Sequence, residues 1–542
     1  VSHWWGEPVH DFATCVKGHA GVRALGPDMC YWVCAYANNQ HELGQDVGAD
    51  PLQSSFFKAM CICNGVLLIL DEACTPFKRI WCCFEESVAV TSMHTQRSKP
   101  LLLDVATVSG EASRVITEGL TDAEKHMEAL HKKLPARPSG WDFKSKREAS
   151  FPIDMVRTGL KVSIAEAEAS IESDRIGILN TLAGRELNGP VDLDHPVYKT
   201  LDNLLRATFA AAFWREATRR RKNLSDDGDF PLSAVLRGDT ARKELTVHLG
   251  GCSGLRDEDV RLLACSLPPN LERLALNFDA CSELSTMDGL GDGISKLRSL
   301  NHFTLELCGC KRLSSTGTLW SGLASLQGLQ SFELCLMDCV GLKSIAGVEE
   351  GLGGHTALTN LHLNFNQCYN LESFESIGHG LARLSAVQSF TLHLTNCDRL
   401  RTIKELGLGF GSLVELRYLD LNLNGCVSLS NVKEVGKSLG AMVSLKTLQL
   451  NFMNCCRLSS VHYIGIGLAE LTNLEVFRLY MGGCKQLGNI GELGKGFSRL
   501  SGLKSLTLDF GDCGHLSSVD ELGQGLSGLK GLEALWLPPT GC

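Results

Sequence analysis

Cysteine is the residue type with the greatest chemical potential in this chain of 542 residues, which contains 23 cysteines and 16 histidines. Eleven of the cysteines recur every 29 residues, and we call them the ladder cysteines: Cys252, Cys281, Cys310, Cys339, Cys368, Cys397, Cys426, Cys455, Cys484, Cys513 and Cys542. Such a series could bind metal, form cross-strand disulfides, or fill inward-facing turns with a small side chain. Equivalent residues of parallel neighbours point the same way, which disfavours bridging. We therefore predict buried thiols.

The remaining cysteines show no metal-site pattern. Cys61-x-Cys63 and Cys82-Cys83 lack the paired C-x-x-C spacing and the accompanying histidines of a zinc site, so we predict no metal. A nucleophilic cysteine could pair with His3 or His94, but no motif supports that arrangement. Residues 1–105 also lack the G-x-G-x-x-G and phosphate-loop lysine motifs, which disfavours a standard nucleotide site.

Charge and composition exclude several classes of protein. The net charge of −9 disfavours binding to a nucleic-acid backbone, and 44% hydrophobic residues indicate packed cores. No apolar run approaches the roughly 20 residues that span a bilayer, and no signal peptide is present. The thiols and the missing export signal favour a cytoplasmic location. The chain starts at Val1 and stops at Cys542, so we treat it as a fragment.

Each ladder cysteine lies in a repeated pattern, L-x-x-L-x-L-x-[LF]-x-x-C-x-x-L, which alternates as a strand does. A helical apolar spacing with a G-x-G element follows, so each unit contains one strand and one helix. One unit cannot bury its apolar face, but stacked units form a parallel sheet and a continuous core. The pattern resembles leucine-rich repeats of the cysteine-containing type over residues 236–542, which implies a curved solenoid of 29-residue strand-helix repeats.

Outward-facing strand residues would form the concave surface of that solenoid. They are polar, rich in amides and mildly acidic, which favours a protein or peptide partner over nucleic acid or a membrane. The predicted partner-binding residues are Asn277, Glu306, Glu333, His362, Asn364, Asn366, His393, Asp420, Asn422, Asn424, Gln449, Asn451, Arg478, Tyr480 and Asp509.

Residues 1–105 have a different sequence pattern, in which apolar runs at 31–37, 65–71 and 100–105 alternate with helical stretches. This alternation predicts a parallel sheet covered by helices, with function at the carboxyl ends of its strands. Residues 106–222 are predicted to form a mostly helical extension, and residues 223–235 a linker. The predicted fold is thus an α/β domain with a helical extension, followed by the solenoid.

Three segments of the first domain resemble a Toll/interleukin-receptor (TIR) domain. Val1-Ser2-His3-Trp4-Trp5-Gly6-Glu7 is similar to the end of the first strand and its loop. Residues 59–70 resemble the helix that runs into the third strand, and Trp81-Cys82-Cys83-Phe84-Glu85 resembles the Trp-Cys-x-x-Glu segment of a later helix. The resemblance implies that the loop over 38–51 mediates self-association and flanks a pocket.

Some TIR domains hydrolyse NAD, and the resemblance assigns their glutamate to Glu85. A carboxylate there would stabilise the oxocarbenium-like ribose left by nicotinamide. Trp81 lies one helical turn earlier and could orient Glu85 or border the nicotinamide, while Glu86 points elsewhere. Where NAD-cleaving members often place arginines, this chain has Trp4 and Trp5, which could stack on a base or pack against the sheet.

Two functions follow from these features. The first is an intracellular receptor-like scaffold, in which the repeats bind a partner and the TIR-like domain signals by self-assembly. The second is an NAD hydrolase with Glu85 as the catalytic carboxylate, Trp81, Trp4 and Trp5 as substrate contacts, and NAD as substrate rather than cofactor. A ubiquitin-transfer adaptor is disfavoured, because no segment resembles the usual helical adaptor motif.

Overall fold

The computed structural model describes residues 1–37, 50–95, 97–98, 100–133, 138–219, 236–237, 240, 242–516 and 518–537. The chain divides into two compact units, Val1–Arg242 and Lys243–Cys542. The predicted solenoid starts at residue 236, slightly before the second unit. The predicted linker over 223–235, most of the loop over 38–51, and Cys542 lie outside the described residues.

The first unit contains a three-stranded sheet in the order β1-β2-β3, with helices around it. Its strands are β1 Gly65–Leu70, β2 Leu102–Ser109 and β3 Ala112–Ile116. Its helices are α1 Val9–Val22, α2 Cys34–Ala37, α3 Ser55–Ile62, α4 Ile80–Thr91, α5 Asp122–Lys133, α6 Gly140–Glu148, α7 Ile153–Gly159, α8 Glu172–Leu182 and α9 Pro196–Arg219. Cys15 of α1 packs on Leu67, Ile69, Ala106 and Val115 of the sheet to form a buried cluster.

An ionic network also joins the end of α1 to β2. Asp104 accepts hydrogen bonds from His19 Nε2 at 2.8 Å and from Arg23 Nε at 2.7 Å. Burial by itself would raise the pKa of Asp104, but these hydrogen bonds hold it at about 2. Asp104 is therefore a buried carboxylate whose charge is compensated, which fits a role in fixing α1 against the sheet.

Two predictions for the first unit are wrong in part. The run at 31–37, expected as a strand, is irregular until Cys34 and then enters α2, because the Ala37 amide bonds to the Val33 carbonyl at 2.9 Å. The expected helical region from residue 106 begins with the end of β2 and with β3, which pairs antiparallel to β2. Gly110 has a φ of +68° and allows the tight turn between these strands. The sheet is therefore mixed, and the boundary at 105 falls inside β2.

The second unit is an eleven-stranded, entirely parallel sheet in sequence order. Its strands are β4 Glu244–His248, β5 Arg273–Asn277, β6 His302–Glu306, β7 Ser331–Cys335, β8 Asn360–Asn364, β9 Ser389–His393, β10 Tyr418–Asn422, β11 Thr447–Asn451, β12 Val476–Tyr480, β13 Ser505–Asp509 and β14 Ala534–Trp536. Its helices are α10 Asp257–Ser266, α11 Asp288–Ile294, α12 Leu319–Ala324, α13 Val348–Leu352, α14 Glu375–Leu381, α15 Lys404–Phe410, α16 Lys433–Leu439, α17 His462–Leu468, α18 Gly491–Phe497 and α19 Asp520–Ser527. These parallel strand-helix repeats fit the predicted leucine-rich-repeat solenoid.

Ladder cysteines join each repeat to the one before it. From Cys252 to Cys513 they are at most 5% exposed, which confirms the predicted burial of these ten. Each thiol from Cys281 to Cys513 also lies within hydrogen-bond distance of a backbone carbonyl in the preceding repeat; Cys397 Sγ, for example, is 3.3 Å from the Phe365 oxygen. Burial raises the pKa of Cys426 to about 12, so the thiol keeps its proton and donates it. Each thiol thus adds a second hydrogen bond, between repeats, to a carbonyl that already accepts a backbone amide, as the Phe365 oxygen does from the Cys368 amide at 3.2 Å.

The G-x-G elements bring successive helices of the solenoid into backbone contact. A Cβ added at Gly467 would lie 2.1 Å from the carbonyl oxygen of Gly436, one helix earlier, and Gly409 stands in the same relation to Gly378 at 2.2 Å. No larger residue fits at these distances. The glycines are therefore packing residues.

Two cysteines outside the ladder form a disulfide that we did not predict. Cys308 follows β6 and Cys335 ends β7, and their Cα atoms are 5.9 Å apart. The ladder cysteines sit at equivalent positions and point the same way, whereas these two occupy different positions of adjacent repeats and can meet diagonally.

A pair of adjacent cysteines tests the role of the ladder. Cys455→Ala removes a buried thiol that lies 3.2 Å from the Leu423 carbonyl, and should lower the free energy of unfolding of the second unit by about 1 to 3 kcal/mol. Cys456→Ala, at a half-buried position next to it, should change the free energy by less than about 0.5 kcal/mol. Urea unfolding of both variants measures the difference, and equal effects would contradict a structural ladder.

Candidate functional site

The open strand face of the second unit consists of the first, third and fifth residues of its strands, which alternate with buried leucines and phenylalanines. Five predicted partner-binding residues have a structural task on this face. The side-chain oxygens of Asn277, Asn364, Asn422, Asn451 and Asp509 each accept the amide two residues later, at 2.9 to 3.1 Å. They terminate their strands in Asx turns. The recurrence of Asn or Asp at one position of the repeat was the signal for this role.

Amides just beyond the strands link neighbouring repeats in a similar way. Asn366 Oδ1 accepts the Thr395 amide at 2.7 Å, and Asn424 Oδ1 accepts from Asn454 Nδ2 at 3.2 Å. Glu306 accepts a hydrogen bond from Asn277. The amide-rich character of this surface therefore arises largely from hydrogen bonds between and within repeats.

The third residues of neighbouring strands lie side by side along the middle of the strand face, and we call Glu333, His362, Asp420, Gln449 and Arg478 the central strip. His393, at the end of β9, borders this strip. His362 and His393 have ring centroids 5.6 Å apart, and His393 Nε2 lies 3.3 Å from Asp420 Oδ2. Gln449 Nε2 donates to the same carboxylate at 3.4 Å. Burial lowers the pKa of His362, so this imidazole is uncharged near neutral pH. Tyr480, another predicted contact, is half-buried on β12.

The first unit contains a cavity of about 520 Å³ that brings together all four predicted substrate residues, Trp4, Trp5, Trp81 and Glu85. Trp4 and Trp5 are 37% and 51% exposed, whereas Trp81 is half-buried and stacks on Phe56 with ring centroids 5.2 Å apart. The segment that precedes α1 and the helix α4 thus line the same cavity.

Glu85 and Glu86 are neighbours on α4 with different surroundings. Glu85 is 7% exposed and lines the cavity, and burial raises its pKa to about 7. Glu86 is completely buried, neither of its carboxyl oxygens has a hydrogen-bond partner, and burial raises its pKa well above the usual range. Glu86 is not among the residues that line the cavity.

One wall of the cavity comes from the segment 168–174, which belongs to the predicted helical extension. The segment is fixed to the start of α4, because the Ile80 amide bonds to the Glu168 carbonyl at 2.9 Å and Arg79 Nη2 donates to Ser170 Oγ at 2.8 Å. Trp81 Nε1 donates to Asp174 Oδ2 at 3.3 Å. Arg79, Phe56 and this wall were not predicted; Arg79, two residues before Trp81, was the one member that the motif could have indicated.

Cysteine chemistry finds no support in this unit. Burial raises the pKa of Cys82 and Cys83 well above that of an ordinary thiol, and lowers the pKa of His3 to about 4. The Cys82 thiol faces the His3 carbonyl at 3.7 Å rather than its ring. Within the described residues, no group of three or more His, Cys, Asp or Glu side chains could hold a metal ion. No described helix is both long enough and apolar enough to cross a membrane.

Comparisons with known proteins add little to this description. No protein-family model matches the chain, and no curated protein matches it at a significant level. Among solved structures, the chain is similar to one from the complex of Rad7 and Elc1 in yeast, with 17% identity over 53% of this chain and 73% of that chain and a TM-score of 0.26. The leucine-rich repeat-containing protein LegL7 from Legionella pneumophila has 14% identity over 57% and 88%, with a TM-score of 0.29. The repeat assignment therefore stands on the strand and ladder geometry described above.

Replacing Glu86 tests its burial without creating a cavity. Since its pKa in the folded unit is raised above the ordinary 4.5, the unfolded chain loses this proton first as pH rises, and Glu86 increasingly destabilises the fold. Glu86→Gln should therefore raise the melting temperature of the first unit at about pH 8, and the gain should vanish near about pH 4.5. Calorimetry measures the gain, with exposed Glu72→Gln as control. A gain independent of pH would show that Glu86 is not a buried neutral acid.

Proposed function

We propose that the protein is a repeat-based interaction scaffold whose strand face binds a basic segment of a protein partner. The observation that carries this proposal is the central strip. Glu333 is exposed on β7, and Asp420, which is largely buried, lies three strands away on the same parallel face. Glu244, Glu306 and Asp509 add carboxylates to the face, whose described arginines are Arg273 and Arg478. Such an imbalance favours lysine or arginine side chains in the partner.

The first unit would supply the output of this scaffold as a TIR-like domain that self-associates. Support comes from Ser2, which bridges parallel to Leu68 of β1 as the end of a first strand would, and from α3, β1, α4 and β2, which follow in the expected order. Twenty described cysteines are thiols and two form a disulfide, which agrees best with a cytoplasmic, receptor-like setting. Partner binding on the strand face would concentrate first units and promote their assembly.

Substitutions at two glutamates of one repeat test the proposed binding of a basic partner. A displayed peptide library is panned on the full chain, and the affinity of enriched peptides is measured by fluorescence anisotropy. Glu333→Lys should weaken binding at least about tenfold, because it places a cation on the strand face. Glu350→Lys, at an exposed position of helix α13, should leave the affinity within about twofold. Equal losses for both variants, or enriched peptides without basic residues, would contradict the proposal.

A second candidate function is NAD cleavage, because Glu85 and three tryptophans line one cavity. In this reaction the bond between nicotinamide and ribose breaks, nicotinamide leaves with the bonding electrons, and water adds to the ribose with loss of a proton. The ionised Glu85 carboxylate would stabilise the positive charge on the ribose. Trp81, which stacks on Phe56 and is held by Asp174, would present a fixed aromatic plane beside it.

This activity is measured as the nicotinamide that the full-length protein releases from NAD when the protein is at high concentration. Glu85→Gln should lower the rate at least about a hundredfold, whereas Glu72→Gln should leave it unchanged. The rate should rise with pH through about 7, because Glu85 must be ionised and burial has raised its pKa to that value. Absence of release from the wild type at every concentration and pH, or full activity of Glu85→Gln, would exclude this function and leave the scaffold.

A further inference from the structure

The cavity of the first unit combines aromatic walls with more carboxylates than cations. Its aromatic lining comprises Trp4, Trp5, Phe56 and Trp81, and its ionisable side chains include Arg79, Glu85, Glu168 and Asp174. The faces of aromatic rings attract cations, most strongly when neighbouring groups remove water from the ligand. We propose that this cavity is a binding site for a flat organic cation, an N-alkylpyridinium, and that it discriminates against ligands whose main charge is a diphosphate.

The aromatic walls are held in fixed positions. Trp81 is restrained on one side by Phe56, whose plane lies at 19° to its own, and at its indole nitrogen by Asp174. Trp4 lies against Gly6, where an added Cβ would come within 2.4 Å of the Trp4 ring. Trp4 and Trp5 are nevertheless among the exposed large apolar side chains of the chain. Exposed indoles gain by covering a ligand.

The charge of the described lining favours a cation. Burial lowers the pKa of His3 to about 4, so this imidazole is neutral near neutral pH. Arg79 is the cationic side chain of the described lining, and it already donates to Ser170. Glu168 and Asp174 line the same cavity together with Glu85, whose pKa of about 7 leaves it partly ionised. A diphosphate would meet this excess of carboxylates, whereas a pyridinium ring would be attracted both by them and by the indole faces.

The choice of a pyridinium over other organic cations rests on the proposed NAD cleavage, whose substrate carries such a ring until the bond to nicotinamide breaks. Cation binding itself does not depend on that activity. If the cation binds but no nicotinamide is released, the site is a binding site and the hydrolase proposal fails. If NAD is cleaved but charged and neutral rings bind equally, the hydrolase stands and this inference fails.

Two ligands that share one ring system provide the test. 1-Methylnicotinamide carries a fixed positive charge and nicotinamide does not, and binding of each to the full chain is measured by calorimetry. The cation should bind at least about tenfold more tightly, and NAD should bind no more tightly than the cation. Equal affinity for the two rings, no binding of the cation, or NAD binding about tenfold more tightly than the cation would each overturn the proposal.

Matched variants separate binding in the cavity from binding elsewhere. Trp5→Leu should weaken cation binding at least about fivefold, whereas Trp536→Leu, which replaces an equally exposed tryptophan of the second unit, should not change it. Asp174→Asn keeps an acceptor for Trp81 but removes the charge, so it should reduce the preference for the charged ring; exposed Asp194→Asn is its control. If Trp5→Leu and Asp174→Asn both bind like the wild type, the ligand does not occupy this cavity.

Discussion

The hydrogen bond from a buried thiol to a carbonyl of the preceding repeat is the interaction on which the second unit depends. A repeat of 29 residues cannot bury its own strand and helix, so each must stack in one register on the last. The thiol is small enough for the inward turn and supplies a second donor to a buried carbonyl that already accepts a backbone amide of its own repeat. Nine such contacts run from Cys281 to Cys513. The constant spacing of this series also sets the positions of all other side chains.

One consequence is the composition of the strand face. Because strands pair in exact register, residues 29 apart lie side by side, as Glu333 does with His362 and His362 with Thr391. Residues at the ends of the strands are then used for Asx turns and links between repeats, which leaves the central strip for recognition. The first unit has no such repetition, and its cavity depends on single contacts such as those of Arg79 and Asp174 with residues distant in sequence.

Much of this arrangement could be predicted from the sequence because it is periodic or local. The ladder, the buried leucines and the helices α1, α3 and α4 follow from spacing alone, and the approach of Trp81 to Glu85 follows from helical geometry. The turn of 31–37 into α2, the β2-β3 hairpin and the disulfide between Cys308 and Cys335 depend on tertiary contacts that a pattern does not encode. For the same reason, the burial of Glu86 and the cavity wall from 168–174 were missed.

Alkylation of the native protein with iodoacetamide, followed by mass spectrometry of its peptides, tests the central claim most directly. We predict rapid labelling of the exposed Cys30 and Cys61, and labelling of the ladder from Cys252 to Cys513 only after unfolding by denaturant. Labelling of the ladder cysteines in the native protein at the rate of Cys30 would show that the thiols are open to solvent and that the repeats do not stack through them.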